Sequence, residues 1–234
     1  MTTGDIDQKD RSRKDRAKQK AAEAAIAEVT DGMLVGLGTG STAAFAISGL
    51  GRRIAEEGLR ITAAGTSLAT ERAARAAGIP FLAFDDIATV DLCIDGADEI
   101  DPLFRAIKGG GGAMLREKIV ASAATRMICI VDADKLVETL ARPLPIEVLP
   151  FAHAYVARAI RCLGGDPVVR PAPSDQGNLL IDCDFGPIAD PDGLAHMLDA
   201  IPGLLGHGLF LSEIDALYIG GETGVERRER HQKP

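Results

Sequence analysis

The sequence predicts an α/β protein: a doubly wound parallel sheet, then a smaller α+β unit, then one strand that returns to the first sheet. Three observations carry that reading. Short apolar runs alternate with helical patterns from Met33 to Val131, and the runs end in glycine, hydroxyl or charged residues. Arg142-Pro143-Leu144-Pro145 then breaks the alternation. Beyond it the order becomes strand, helix, strand, strand, helix, strand, which is the ferredoxin-like arrangement. The expected boundaries are residues 1–139 with 215–234 for the first unit and 140–214 for the second.

Composition narrows the class of function. With 234 residues, 46% of them hydrophobic, and a mean hydropathy of +0.08, the chain can fill one large or two small cores. A net charge of −8 repels polyanions, and 4% aromatic residues without tryptophan offer little for bases to stack on, so nucleic acid is not an expected partner. The first twenty residues carry no apolar run and no later stretch reaches membrane length, so neither secretion nor a membrane is expected and the cytoplasm is the expected compartment. Cys93, Cys129, Cys162 and Cys183 are scattered without a paired motif, which argues against disulfides and a zinc site. Cys93 and Cys129 fall in buried-strand contexts as small hydrophobes.

Residues 1–13 are polar and are expected to be disordered. The basic run from Lys9 through Arg13, Lys14 and Lys18 to Lys20 suggests a nucleic-acid arm. From about Arg13, however, Ala17, Ala21, Ala24, Ala25, Ile26 and Val29 share one helical stripe, which makes most of those charges the wet face of a helix. Met33 to Leu37 then reads as a strand, Gly38-Thr39-Gly40-Ser41-Thr42 as a loop, and the residues from Ala43 as a helix. Free N–H groups at such a helix start bind phosphate, and Thr39, Ser41 and Thr42 add hydroxyls. The dipole contributes only about 0.3–2 kcal/mol, so hydroxyls, loop amides and a lysine must supply the rest. A dinucleotide fingerprint is one glycine short, with Ser41 in its last place, and the next strand, Leu59 to Ala63, lacks the terminal acid such a site needs. No lysine precedes Ser41, which removes a Walker loop. A small phosphorylated ligand remains. Thr66-Ser67 precedes a helix from Leu68 to Ala77, and Ser67 is equally well a plain helix cap or part of the same pocket.

The stretch from Asp91 to Lys118 organises the chemistry. Leu92-Cys93-Ile94 reads as the end of a buried strand that stops at Asp95-Gly96-Ala97-Asp98-Glu99-Ile100-Asp101. Acidic turns are usually solvated, and Glu99 and Asp101 take that reading. Asp95 and Asp98 flank Gly96 at the carboxyl end of a strand, where open α/β sheets place their ligands. Leu103 to Ile107 leads to Lys108 and to Gly109, Gly110, Gly111 and Gly112, whose unshielded N–H groups can form a nest for a developing negative oxygen. A linker would be longer and richer in serine. Glu117 has Ala113, Met114, Val120 and Ala121 as helix neighbours and no local ion-pair partner, a setting that raises proton affinity and suits a general base.

Arg126 to Val131 is a fully apolar strand ending at Asp132-Ala133-Asp134-Lys135, which places Lys135 near the same pocket. The second unit is read as strand Ile146 to Leu149, helix His153 to Cys162, strands Pro167 to Arg170 and Leu179 to Cys183, helix Pro191 to Ala200, and strand Gly208 to Leu211. His153 and His196 fall in helical patterns as partly exposed structural histidines, and this unit takes a packing or lid role. Asp215 to Gly221 reads as a strand returning to the first sheet, and the charged tail after Val225 is expected to fray.

Taken together, Gly36-Leu37-Gly38-Thr39-Gly40-Ser41-Thr42, Thr66-Ser67 before Ala69-Thr70-Glu71, Asp95-Gly96-Ala97-Asp98-Glu99, Lys108-Gly109-Gly110-Gly111 with Arg116-Glu117-Lys118, and Asp134-Lys135 closely resemble type A ribose-5-phosphate isomerases. Each motif alone is weak; five in order, from about Lys18 to Gly221, are specific. The resemblance implies a Rossmann-like parallel-sheet domain with an inserted ferredoxin-like α+β domain and no metal or organic cofactor. It implies interconversion of D-ribose 5-phosphate and D-ribulose 5-phosphate in the non-oxidative branch of the pentose phosphate pathway, by a homodimer or homotetramer. By the same resemblance Thr39, Gly40, Ser41, Thr42, Asp95, Gly96, Ala97, Asp98, Lys108, Gly109, Gly110, Gly111 and Lys135 match substrate-binding positions. Glu117 matches the catalytic base, assisted by Lys108, Asp95 and Asp98. Lys18 aligns loosely with a phosphate-contacting lysine, and the segment before about Lys14 lies outside the family core. Two other readings exist on related folds: a non-catalytic sugar-phosphate sensor, which would need a DNA-binding domain, and an aminosugar-phosphate deaminase or acyl-CoA-type transferase, against which the ordered motifs argue.

Overall fold

The computed structural model describes the backbone of residues 3–230 and side chains from Ser12 onward. Helix α1 runs from Thr3 to Ile26, so the segment expected to be disordered up to residue 13 is helical from Thr3; Met1 and Thr2 lie outside the described residues. The cause lies further along the helix. Ala17, Ala21, Ala22 and Ala25 are buried, and once that face is docked, helix propagates toward the amino terminus one hydrogen bond per residue.

Strand β1 (Leu34–Leu37) follows, then α2 (Ser41–Glu57), β2 (Thr62–Gly65), α3 (Leu68–Ala76) and β3 (Val90–Asp95). Two short strands, β4 (Glu99–Ile100) and β5 (Ala106–Ile107), precede α4 (Met114–Ser122) and the long β6 (Ala124–Asp132). Next come β7 (Leu144–Val148), α5 (His153–Cys162), β8 (Asp166–Val169), β9 (Leu179–Asp184), α6 (Pro191–Asp199) and β10 (Leu204–His207). The chain ends with β11 (Leu209–Phe210), β12 (Ala216–Gly220) and β13 (Val225–Glu229).

The main sheet has six strands in the order β13-β12-β6-β3-β1-β2, parallel except for β13. Its alternation sorts the core. Val35, Leu37, Leu92, Ile94, Ile128 and Ile130 pack with α1 and α2 on one face, whereas Cys93, Met127, Cys129 and Val131 pack with Met114, Val120 and Ala121 of α4 on the other. Each fully buried Ile or Leu contributes about 1.5–3 kcal/mol, so both faces must be covered for the sheet to persist. β12 lies parallel to β6, which places the Asp215–Gly221 segment in the first sheet as expected. The described part of the tail does not fray: β13 pairs with β12 from Gly220↔Val225 to Ala216↔Glu229, and Arg126 is tied to both Glu28 (2.9 Å) and Glu229 (2.9 Å), while residues 231–234 lie outside the described residues.

The second sheet has the order β10-β7-β9-β8, all antiparallel, with α5 and α6 sharing its core. That is the ferredoxin-like arrangement. Its last strand is Leu204–His207 instead of the expected Gly208–Leu211; the pattern there spans two strands, because β11 leaves for a third sheet of order β11-β5-β4. No helix among the described residues is long and apolar enough to cross a membrane.

Candidate active site

The chain passes from β1 through α2 to β2 on one side and from β3 toward β6 on the other, so strand order reverses between β1 and β3. Ligand crevices of open α/β sheets form at such a point, outside the carboxyl ends of the strands. Here the two ends are stitched closely: the Gly38 N–H donates to the Ile94 carbonyl (3.0 Å). A Cβ on Gly38 would stand 1.9 Å from Asp95 Oδ1, so only glycine lets the β1 loop cross over that carboxylate.

Asp95, Lys108 and Glu117 form the buried centre, at 1%, 2% and 4% exposure. Lys108 Nζ donates to Asp95 Oδ2 (2.8 Å) and to the Gly96 carbonyl (2.5 Å), and it lies 3.3 Å from Glu117 Oε2. Glu117 Oε2 accepts no hydrogen bond among the described residues, so the pair with Lys108 is a charge contact without hydrogen-bond alignment. Burial raises the Glu117 carboxyl to about 7 against the pull of Lys108, and nearby Asp95 adds to the rise. Burial works against the Lys108 ammonium, but Asp95 and Glu117 together outweigh it and hold its proton more tightly than usual. Beneath them the Cys93 and Cys129 thiols are pushed up by burial, Cys129 to about 12, and both are inert packing groups.

The cleft above this centre has a volume of about 140 Å³ and is lined by Lys18, Thr39, Gly40, Ser41, Thr42, Gly96, Ala97, Asp98, Lys108, Gly109, Gly110, Gly111, Glu117 and Lys135. At one end α2 is preceded by Gly40 in the cap position, whose φ of +106° no side chain favours and which supplies no side-chain cap. Lys18 reaches across from α1, its Nζ 3.2 Å from Ser41 Oγ, and Lys135 enters from the turn after β6. Two ammonium groups and an uncapped helix start face one space, an arrangement that can hold a dianion. Thr39 Oγ1 meets Thr66 (2.7 Å) and Ser67 (2.9 Å), and Ser67 also accepts from the Thr70 N–H (3.0 Å), so Ser67 is both helix cap and part of the wall's hydroxyl chain. At the other end the Gly110 N–H donates to Asp98 Oδ2 (2.8 Å).

A model of the family ribose 5-phosphate isomerase A, also called phosphoriboisomerase A, matches residues 62–224. The chain belongs to that family. It is 52% identical to the ribose-5-phosphate isomerase A of Sphingopyxis alaskensis over 219 residues, covering 91% of this chain and 96% of that one. The ribose 5-phosphate isomerase A structure from Methanocaldococcus jannaschii superposes with a TM-score of 0.87 at 39% identity, over 91% of this chain and 98% of that one. A D-ribose-5-phosphate isomerase in complex with phospho-erythronic acid gives 0.89 at 34% identity, over 93% and 99%.

The ribose 5-phosphate isomerase A motifs of the sequence therefore converge in space. Every residue expected to bind substrate or act in catalysis lines the cleft except Asp95, which lies under Lys108. Glu99 and Asp101, expected to face water, instead bond to the chain. Glu99 accepts the Ala141 and Arg142 N–H groups, and buried Asp101 accepts those of Leu103 and Arg105 and pairs with the Arg105 guanidinium. Sequence reasoning missed Arg170 and Asp182 of the second sheet. The Arg170 guanidinium reaches the glycine loop at Gly109 O (3.0 Å), and no local pattern announces that contact. It also missed His207, a buried imidazole lowered by burial to about 4.

Proposed function

We propose that this chain interconverts D-ribose 5-phosphate and D-ribulose 5-phosphate through an enediolate. The observation that carries the reading is the buried carboxyl of Glu117, with an unsatisfied oxygen in the cleft and an ammonium 3.3 Å away. A module that only binds has no need of such a group, which costs stability where it stands. Glu117 takes the proton from the carbon beside the carbonyl and returns it to the neighbouring carbon. A positioned base supplies about 10²–10⁴-fold, less than the ~10⁶-fold or more typical of enzymes. Charge stabilisation of the enediolate oxygens by Lys108 and the N–H groups of Gly109 to Gly111 supplies the remainder; one such donor is worth about 2.7–4 kcal/mol in known cases.

Asp95 holds the Lys108 ammonium in place, and Asp98 receives a sugar hydroxyl, giving up its hold on the Gly110 N–H as it does so. Lys18, Ser41, Thr42 and Lys135 grip the phosphate, with Thr39 and Gly40 shaping the loop. Residues 1–139 with 215–234 are read as the catalytic domain and 140–214 as the domain that covers it, supported by the six-stranded sheet lying in the first and the four-stranded sheet in the second, while the short β11-β5-β4 sheet takes strands from both. A cytoplasmic homodimer or homotetramer fits a charged substrate that cannot cross a bilayer and the exposure of Leu103, Phe151 and Val168. Ribose 5-phosphate is expected to give ketopentose absorbance with EDTA present, and Glu117→Gln to lose at least about 10²-fold in kcat while still binding ligand. A Glu117→Gln variant with near-normal rate would remove Glu117 from the base role; no turnover by the unmodified chain would refute the reaction itself.

A further inference from the structure

We propose that Arg170 is a positioning residue for the glycine loop: by holding the carbonyls of Gly109 and Gly110 it turns the peptide N–H groups that follow them toward the cleft. The proposal rests on the isomerase reading above.

Arg170 follows β8, in the smaller sheet, and its guanidinium is fixed along one edge. Nε and Nη2 donate to Asp182 Oδ2 (2.8 Å) and Oδ1 (2.6 Å), a two-point fork that sets the plane of the group. Nη1 is thereby aimed at the glycine loop, where it donates to the Gly109 carbonyl (3.0 Å) and the Gly110 carbonyl (3.3 Å). In a planar trans peptide the C=O and N–H bonds point in opposite directions. With the Gly109 carbonyl drawn to Arg170, the Gly110 N–H must face away from it, and it does, meeting Asp98 Oδ2 on the cleft wall (2.8 Å). The same geometry at the next peptide turns the Gly111 N–H from Arg170.

The run supplies one bond of its own, from the Gly112 N–H to the Gly109 carbonyl (3.0 Å); Arg170 adds a second hold on that carbonyl and a hold on the Gly110 carbonyl. Gly109 sits at φ +106° and Gly112 at φ +85°, and no side chain in the run opposes a peptide flip. Preorganised donors are worth having only if they do not have to be reoriented during reaction. A lysine would not serve in place of Arg170, because a point charge lacks the fork that links one carboxylate to two carbonyls.

The test uses the full chain and Arg170→Ala, Arg170→Lys and Asp182→Asn. Three quantities are read: kcat with D-ribose 5-phosphate, the inhibition constant of inorganic phosphate, and the Gly110 amide proton shift in ¹⁵N-glycine-labelled protein. Arg170→Ala is expected to lose about 100-fold in kcat, as misplaced catalytic groups do. Arg170→Lys is expected to recover little of it, and Asp182→Asn to show a smaller loss. Phosphate inhibition is expected to stay unchanged, since its grip lies on Lys18, the start of α2 and Lys135, and the Gly110 amide proton to move upfield as its bond to Asp98 loosens. A folded Arg170→Ala with normal kcat and an unmoved Gly110 signal would overturn the proposal. So would parallel weakening of kcat/KM and phosphate inhibition, which would mean that Arg170 supports the whole cleft. If Arg170→Ala does not fold, Asp182→Asn decides by the same readouts. An unmodified chain without turnover would sink the isomerase reading instead, and the Gly110 signal would still judge the clamp.

Discussion

At the scale of single residues, the chemistry hangs on how Glu117 can be both buried and ionisable. Its apolar helix neighbours were legible in the sequence, and they suggested a raised proton affinity. Its counterweight was not, because Lys108 becomes a neighbour only when β5 and α4 fold back over β3. The result is a carboxyl raised to about 7. Catalysis by the ionised form should therefore give a kcat/KM that falls tenfold per unit below about pH 7, measured from the pH–rate profile. The stability effect has the opposite sign. A carboxyl raised in the folded state contributes stability that is complete below its unfolded value near 4.5 and is lost as pH rises through about 7. Glu117→Gln should gain stability relative to the parent chain on going from pH 5 to pH 8, read by urea unfolding at both values; an equal difference at the two would show that Glu117 does not titrate in that window.

At the scale of elements, what was legible was whatever short-range pattern determines. Strand ends followed by glycine and hydroxyls, the helix His153–Cys162, and the ferredoxin-like order all follow from periodicity and turn residues. The elements that escaped depend on remote partners. β4, β5 and β11 have two residues each and exist only because they pair with one another, and Arg170 becomes relevant only once β8 takes the edge place in its sheet. β13, with the sequence Val-Glu-Arg-Arg-Glu, looks like a solvated tail; it is a strand because β12 offers it an open edge and Arg126 offers Glu229 a partner. Removing residues 225–234 should uncover that edge and lower unfolding free energy by at least about 2 kcal/mol, since each net backbone hydrogen bond contributes roughly 0.5–1.5. Denaturant midpoints would check this, and an unchanged midpoint would show that β13 is ornamental to stability. Increased self-association is expected alongside, as from any newly exposed strand edge.

At the scale of the whole molecule, the cleft draws on nearly every part of the chain: Lys18 from α1, the loop before α2, the ends of β3 and β5, Glu117 of α4 and Lys135 after β6. Arg170 adds a tie from the second sheet. A ligand held by so many elements should stabilise them together. At a hundred times its dissociation constant, a bound sugar phosphate raises unfolding free energy by about 2.7 kcal/mol. Calorimetry is expected to show one transition moving to higher temperature; separate transitions of which only one moved would mean that the second sheet is not coupled to the site. The three-stranded sheet has a further consequence, for biosynthesis. Lys108 is held through its own N–H by the Gly208 carbonyl (2.9 Å), and β5 beside it pairs with β11. A nascent polypeptide whose Gly208 and β11 are still inside the ribosome has no partner for that lysine's backbone, however well its first strands have assembled. Catalytic competence should appear abruptly, once Gly208 and β11 have left the ribosome, while ordered secondary structure accumulates well before it.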